Sequence, residues 1–129
     1  MIDKVREAGI DVPILGFPRA AGLNTKSYID KVETQCVAAG TDSPLVEMRK
    51  LLGPKRALQG NLDPLALRIG GSVLESAVQN VLEDARTAGG PYIFNLGHGV
   101  SPDVKIDNVH AVISHVRTGM PNIDGKHYV

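Results

Sequence analysis

Four short apolar stretches, each closed by turn-forming residues, alternate with segments whose apolar positions recur at helical spacing. The stretches are residues 12–17, 37–40, 56–60 and 92–96. None alternates cleanly between polar and apolar, which fits strands covered on both faces, as in a parallel sheet. The helical signals are stronger. Ser72 and Glu75 read as a capping box, serine at the N-cap and glutamate three residues on. Behind them Val73, Leu74, Ala77, Val78, Val81, Leu82 and Ala85 form one apolar face, ended by Gly89-Gly90-Pro91. Ser43, in an N-cap role, and Pro44 open another helix, whose buried face is Leu45, Met48, Leu51 and Leu52; Gly53-Pro54 stops it. Val109, Val112, Ile113 and Val116 mark a last helix that ends near Gly119. Tyr28 and Val32 suggest a less amphipathic helix over 25–35, and Ile2 and Val5 one that reaches Gly9.

The order is α-β-α-β-α-β-α-β-α with short connections. Strand–helix repeats of this kind imply right-handed crossovers and a parallel sheet. Four such units predict an α/β fold equal to half of an eight-fold barrel. Half a barrel leaves two unpaired edge strands and an uncovered core face. Such a chain is expected to pair with more protein or to belong to something longer. Residues 1–119 are expected to form this partial barrel, and 120–129, which lack any periodic pattern, a tail.

Composition narrows the classes. The 129 residues suit one small domain. Lys plus Arg equals Asp plus Glu, 14 each, and no basic stripe points to nucleic acid. No segment reads as a membrane span or surface helix, and the charged start, Met1 to Glu7, does not read as a signal peptide. The single cysteine, Cys36, allows neither a disulfide framework nor a Cys-rich metal site within one chain. These features describe a soluble protein of a reducing, cytoplasmic compartment.

In a parallel sheet all four strand ends lie on one rim, where ligands bind in such folds. Those ends are Phe17-Pro18-Arg19, Thr41-Asp42-Ser43, Asn61-Leu62-Asp63-Pro64 and Gly97-His98-Gly99. His98 is the leading candidate, because an apolar run delivers its imidazole to the rim between two glycines. Imidazole titrates near neutrality and can meet a carboxylate or move a proton. The flanking glycines let the backbone turn sharply and a bulky ligand approach. The plainer alternative is a loop histidine bonded to a backbone carbonyl. Arg19 has the planar fork that binds carboxylate or phosphate, or is a solvated loop residue. Asp63 and Asn61 fit a turn before a helix better than an acid. Asp42 is a possible rim acid. His110 and His115 sit beside the apolar face of the last helix and read as surface residues, and His127 lies in the tail. No metal-ligand spacing, phosphate loop or nucleophile elbow is present, so no metal is expected.

Leu58-Gln59-Gly60-Asn61-Leu62-Asp63-Pro64, followed by Asn95-Leu96-Gly97-His98-Gly99, resembles the carboxyl-terminal half of the uroporphyrinogen decarboxylase family. Gly16-Phe17-Pro18-Arg19-Ala20-Ala21-Gly22 is similar to that family's Gly-Phe-Pro-Arg-Gly-Ala-Gly loop. The segment from Pro44-Leu45 to Gly53-Pro54-Lys55 is similar to the helix before its Gln-Gly-Asn-Leu-Asp-Pro strand. The match runs from Val12 to Arg117 in the family's order. It implies a (β/α)8 TIM barrel and a cytosolic homodimer of haem and tetrapyrrole synthesis. It implies removal of the four acetate carboxyls of uroporphyrinogen III, giving coproporphyrinogen III and carbon dioxide, with no cofactor and no metal. His98 matches the substrate-contacting histidine of the family's Asn-Leu-Gly-His-Gly motif. Its implied role is to contact or orient a carboxylate of the porphyrinogen.

Two departures bear on activity. The family's amino-terminal half supplies arginines that grip substrate carboxylates, an aspartate facing the pyrrole nitrogens, and a tyrosine and a serine; none has a counterpart here. Catalytic residues are therefore not assigned in this chain. Where the family reads Gly-Leu-Asp-Trp-Thr-Val, this chain has Gly40-Thr41-Asp42-Ser43, without the tryptophan and about two residues shorter; Gln35 stands where glycine is common. One reading is a carboxyl-terminal part of a decarboxylase, from a truncated or split gene, inactive until joined by the missing amino-terminal half. The other is a non-catalytic half-barrel that binds or scaffolds tetrapyrroles. His98 favours the first and the missing tryptophan the second. A methyltransferase of the same superfamily would need zinc-binding histidine and cysteines, which Cys36 alone does not supply.

Overall fold

The computed structural model describes residues 2–21 and 24–119. The chain runs α1 (Ile2–Glu7), β1 (Leu15–Gly16), α2 (Thr25–Lys31), β2 (Cys36–Ala38), α3 (Leu45–Leu52), β3 (Ala57–Leu62), α4 (Pro64–Ile69), α5 (Gly71–Ala88), β4 (Tyr92–Leu96) and α6 (Ile106–Gly119). The strands form one sheet in the order β1-β2-β3-β4, each parallel to the next. Consecutive parallel strands joined through helices make half of a (β/α)8 barrel, as the sequence implies. The tail expected over 120–129, with His127, lies outside the described residues.

Helices α2 to α6 cover one face of the sheet. Val37, Leu45 and Leu58 pack with Ile29, Met48, Leu52 and Ala85 in one cluster. Leu62, Leu67, Leu74, Val78 and Leu82 form the next, joined by Phe94, Leu96 and the inner face of α6. Val37, Leu45, Leu58, Leu62, Leu74 and Val78 are almost wholly buried. Each such side chain contributes about 1.5–3 kcal/mol by leaving water. The other face is open. Leu15, Phe17 and Ile93 are 44, 41 and 47 % exposed.

The expectation of strands covered on both faces holds for β2, where Cys36, Val37 and Ala38 are all buried, and is corrected for β3 and β4. Burial alternates along β3, with Leu58, Gly60 and Leu62 buried and Ala57, Gln59 and Asn61 half-buried. Gly60 conceals the alternation in the sequence, because it occupies a buried position with no side chain. A Cβ there would lie 2.9 Å from the Ala39 carbonyl oxygen. On β4, Tyr92, Phe94 and Leu96 are half-buried and Ile93 and Asn95 exposed.

Element limits differ where one local interaction overrides the pattern. β1 is two residues rather than six. Pro13 has no N–H, and the Gln35 side chain takes the Ile14 N–H at 2.8 Å. β2 begins at Cys36, not 37, and β3 continues to Leu62 rather than stopping at Gly60. α1 stops at Glu7, and α2 at Lys31, where Val32 turns extended. The capping box does not form. Ser72 lies inside α5, which starts at Gly71 after Gly70, and makes no cap. The reason is α4, absent from the sequence reading, which ends at Ile69 so close that the glycine pair forms the whole junction. Asp63 caps α4 by accepting the Leu65 N–H at 2.8 Å. Ser43 is not the N-cap of α3 either. Pro44 holds that position, Ser43 donates to Asp42, and the free Leu45 N–H is taken by Asp84 of α5 at 2.9 Å.

Arg49 ties together the amino-terminal end of the sheet. Its buried guanidinium donates to the carbonyls of Gly53 (3.0 Å), Arg56 (2.6 Å) and Pro91 (2.7 Å). One cation thus joins the end of α3 to the segments entering β3 and β4. Burial pulls its pKa below the usual arginine range, opposed by Cys36. Burial likewise raises the Cys36 thiol, opposed by Arg49.

At the opposite end, Gly97 is buried against the loop after β2. A Cβ there would meet the Thr41 backbone nitrogen at 2.6 Å and the Gly40 carbonyl carbon at 3.1 Å. Asn61 holds the same loop, donating to the carbonyls of Gly40 (2.9 Å) and Ser43 (2.8 Å).

Arg49→Leu should lower the unfolding free energy by about 2–4 kcal/mol in urea titration, because three carbonyls lose a charged donor. A loss below about 0.5 kcal/mol, within the range of ordinary surface changes, would contradict that role. Gly97→Ala should cost about 1–3 kcal/mol by overpacking, with the melting temperature lowered accordingly. A Cβ added at Gly99 would meet nothing within 4 Å among the described residues, so Gly99→Ala should melt like the parent.

Candidate functional site

Parallel pairing places the carboxyl ends of all four strands on one rim. There the open face of the sheet forms a cavity of about 240 Å³ lined by Leu15, Phe17, Ala38, Gln59, Asn95 and His98, with Ala39, Leu96 and Gly99 adjoining. Its floor is apolar, from β1 and β2. Its polar wall carries two carboxamides from β3 and β4 and one imidazole from the following loop. Among the described residues no Lys, Arg, Asp or Glu lines it.

His98 is exposed on this wall. Its Nδ1 accepts the Gly99 N–H at 2.7 Å. A nitrogen that accepts carries no proton, so the ring proton belongs on Nε2. The loop therefore presents an N–H donor at the rim. The plainer alternative, a histidine donating to a backbone carbonyl, is not what the ring does here. The two glycines have separate jobs. Gly97 permits the close approach of the Gly40–Thr41 backbone, and Gly99 supplies the N–H that fixes the ring.

The other rim candidates do not join His98. Arg19 is exposed, in the turn after Phe17. The adjacent Ala20 takes a left-handed φ of +51°, a conformation that costs a residue with a Cβ about 1–2 kcal/mol. Asp63 serves as a helix cap and Asn61 as a loop tether. Asp42, Asn61 and Asp63 line a separate, open groove of about 650 Å³, on whose far side stand Asn80 and Asp84 of α5. His110 is exposed on α6. His115 Nε2 lies 3.7 Å from Glu75 Oε1 between α5 and α6, away from the rim. Among the described residues no three His, Cys, Asp or Glu side chains come together to hold a metal. No helix among them is long and apolar enough to cross a membrane. Cys36 begins β2, at the end opposite His98.

Gln59 and Asn95 are site residues that the sequence reading does not single out. A signal for them exists. Each is a polar residue within an apolar strand, out of phase with the positions that face the helices. The register pairs Gln59 with Ile93 and Asn61 with Asn95.

Residues 1–119 match the family described as Uroporphyrinogen decarboxylase (URO-D). Similar curated proteins carry the name uroporphyrinogen decarboxylase. The one from Phenylobacterium zucineum is 44 % identical over 94 % of this chain and 34 % of its own length. That from Maricaulis maris is 40 % identical over 91 % and 33 %, and that from Caulobacter vibrioides 42 % over 90 % and 32 %. The chain thus spans about a third of the length of these relatives. A half-barrel of parallel strands with a histidine on its rim, matched by the family along residues 1–119, fixes the relationship: the chain belongs to the uroporphyrinogen decarboxylase family.

Proposed function

We propose that this chain forms the carboxyl-terminal wall of a uroporphyrinogen decarboxylase, converting uroporphyrinogen III to coproporphyrinogen III and carbon dioxide. The observation that carries the reading is the His98 ring, held with Nε2–H outward beside an apolar floor. A porphyrinogen is an apolar macrocycle fringed with carboxylates. Leu15, Phe17 and Ala38 suit its ring face, and an N–H donor at the rim suits its fringe.

In the reaction the pyrrole serves as its own electron sink. A proton added to the ring carbon next to the one bearing the acetate arm makes the ring a conjugated iminium that draws electrons from the arm. The bond to the carboxylate then breaks, and its electron pair neutralises the ring. Carbon dioxide leaves, the methylene takes a proton to become a methyl group, and the ring proton is returned. Each arm consumes one proton and needs no cofactor. Within this chain, His98 orients one carboxylate and Phe17 lies against the macrocycle. Positioning of this kind supplies part of the rate enhancement without itself moving electrons.

The cavity wall carries no arginine, lysine or acid among the described residues. The cations that neutralise the remaining carboxylates and the acid that protonates the ring come, in this reading, from an amino-terminal half-barrel. The edges of β1 and β4, unpaired among the described residues, and the exposed Leu15, Phe17 and Ile93 support such a complement. The proposal includes a cytoplasmic setting and a homodimer. The same uncharged wall also supports a second reading, a half-barrel that binds tetrapyrroles without turning them over.

The test is to assay coproporphyrinogen formation by this chain alone and in a complex with the amino-terminal part of the Phenylobacterium zucineum protein, with assembly followed by gel filtration. Turnover should appear only in the complex, and His98→Ala should reduce it by about ten- to a hundredfold, the worth of one charge-assisted hydrogen bond. An assembled complex without turnover would favour the binding module. Turnover by the chain alone would contradict the need for a complement.

A further inference from the structure

Asn95 is the last-but-one residue of β4, exposed on the open face of the sheet, and shares its cavity with His98. A carboxamide can accept at one end and donate at the other, so its orientation decides what it offers a ligand. Here the orientation is set. Oδ1 accepts the Leu96 N–H at 2.8 Å, leaving Nδ2 as the free end. His98 is set in the same manner, with Nδ1 occupied by the Gly99 N–H and Nε2 free. Two neighbouring side chains, three positions apart, are thus each anchored by the next residue's backbone N–H so that each offers a donor. Among the described residues no charged side chain competes for the ligand in this cavity.

We propose that Asn95 is a second ligand-binding residue of this site, its Nδ2–H and the His98 Nε2–H together holding one carboxylate of the porphyrinogen. The inference rests on the functional reading above and adds to it a donor pair. A carboxylate has two oxygens and can accept from two donors at once. Neutral donors hold it without the cost of burying a cation when the arm is gone. They also favour the arm that ends in a carboxylate over the methyl group left behind, so the pair discriminates substrate from product at that position.

Asn95→Asp separates this role from a structural one. The substitution keeps an oxygen for the Leu96 N–H, so strand geometry and melting temperature should be retained. It replaces the donating amino group with an anionic oxygen. The readout is fluorescence titration of the full chain, assembled with the amino-terminal part of the Phenylobacterium zucineum protein, with uroporphyrin III, the oxidised octacarboxylic ring, and with its octamethyl ester. Asn95→Asp should weaken binding of the acid by about tenfold or more and leave binding of the ester unchanged. Asn95→Asp that binds the acid as the parent does would overturn the inference while the functional reading stands. Equal weakening of acid and ester would also overturn it, showing Asn95 to be structural. A parent complex that assembles yet binds no uroporphyrin would overturn the functional reading and the inference with it.

Discussion

Parallel pairing of four consecutive strands is the constraint on which everything else here depends. It forces every connection to cross back over the sheet, and each crossing brings a helix to the same side. The helices bury Val37, Leu58 and Leu62 on that side and leave Leu15, Gln59, Ile93 and Asn95 on the other. The same pairing sends all four carboxyl ends to one rim. A cavity with an apolar floor and a polar lip is therefore a product of topology before any residue is chosen for chemistry.

The residues at the rim divide between holding the loops and facing the cavity. Asn61 tethers the loop after β2, Asp63 caps α4, and Gly97 admits the Thr41 backbone. These interactions fix where the loop after β4 can run. His98 and Asn95 then use backbone N–H groups of that segment to orient their own side chains. The amino-terminal end has a different anchor, Arg49, whose three carbonyl partners hold α3 against the starts of β3 and β4. The Arg49 anchor and the cavity beside His98 occupy opposite ends of the sheet.

Much of this is legible in the sequence. The alternating order, the parallel sheet, β4 and the rim position of His98 follow from apolar runs ending in glycine and polar residues. Asp63 and Asn61 read as turn residues, and holding turns is what they do. Less legible are features set by contacts distant in sequence. Nothing local to Ser43 or Pro44 shows that Asp84, from α5, accepts the first N–H of α3. Ser72 and Glu75 have the spacing of a capping box, yet α4 runs so close to α5 that Gly70 and Gly71 take over the junction. The alternation of β3 is hidden by Gly60, which is buried against Ala39 and shows no apolar side chain. Gln59 escapes the sequence reading for that reason, and Asn95 does because Ile93, apolar yet exposed, masks the alternation of β4.

In the proposed reading the ligand lies on the open face at the carboxyl rim. The most direct measurement is an amide-correlation NMR spectrum of the chain titrated with an octacarboxylic porphyrin. The expected result is a set of shifts confined to Phe17, Gln59, Asn95, His98 and Gly99. Shifts centred instead on the groove between Asp42 and Asp84, or around His115 between α5 and α6, would contradict it.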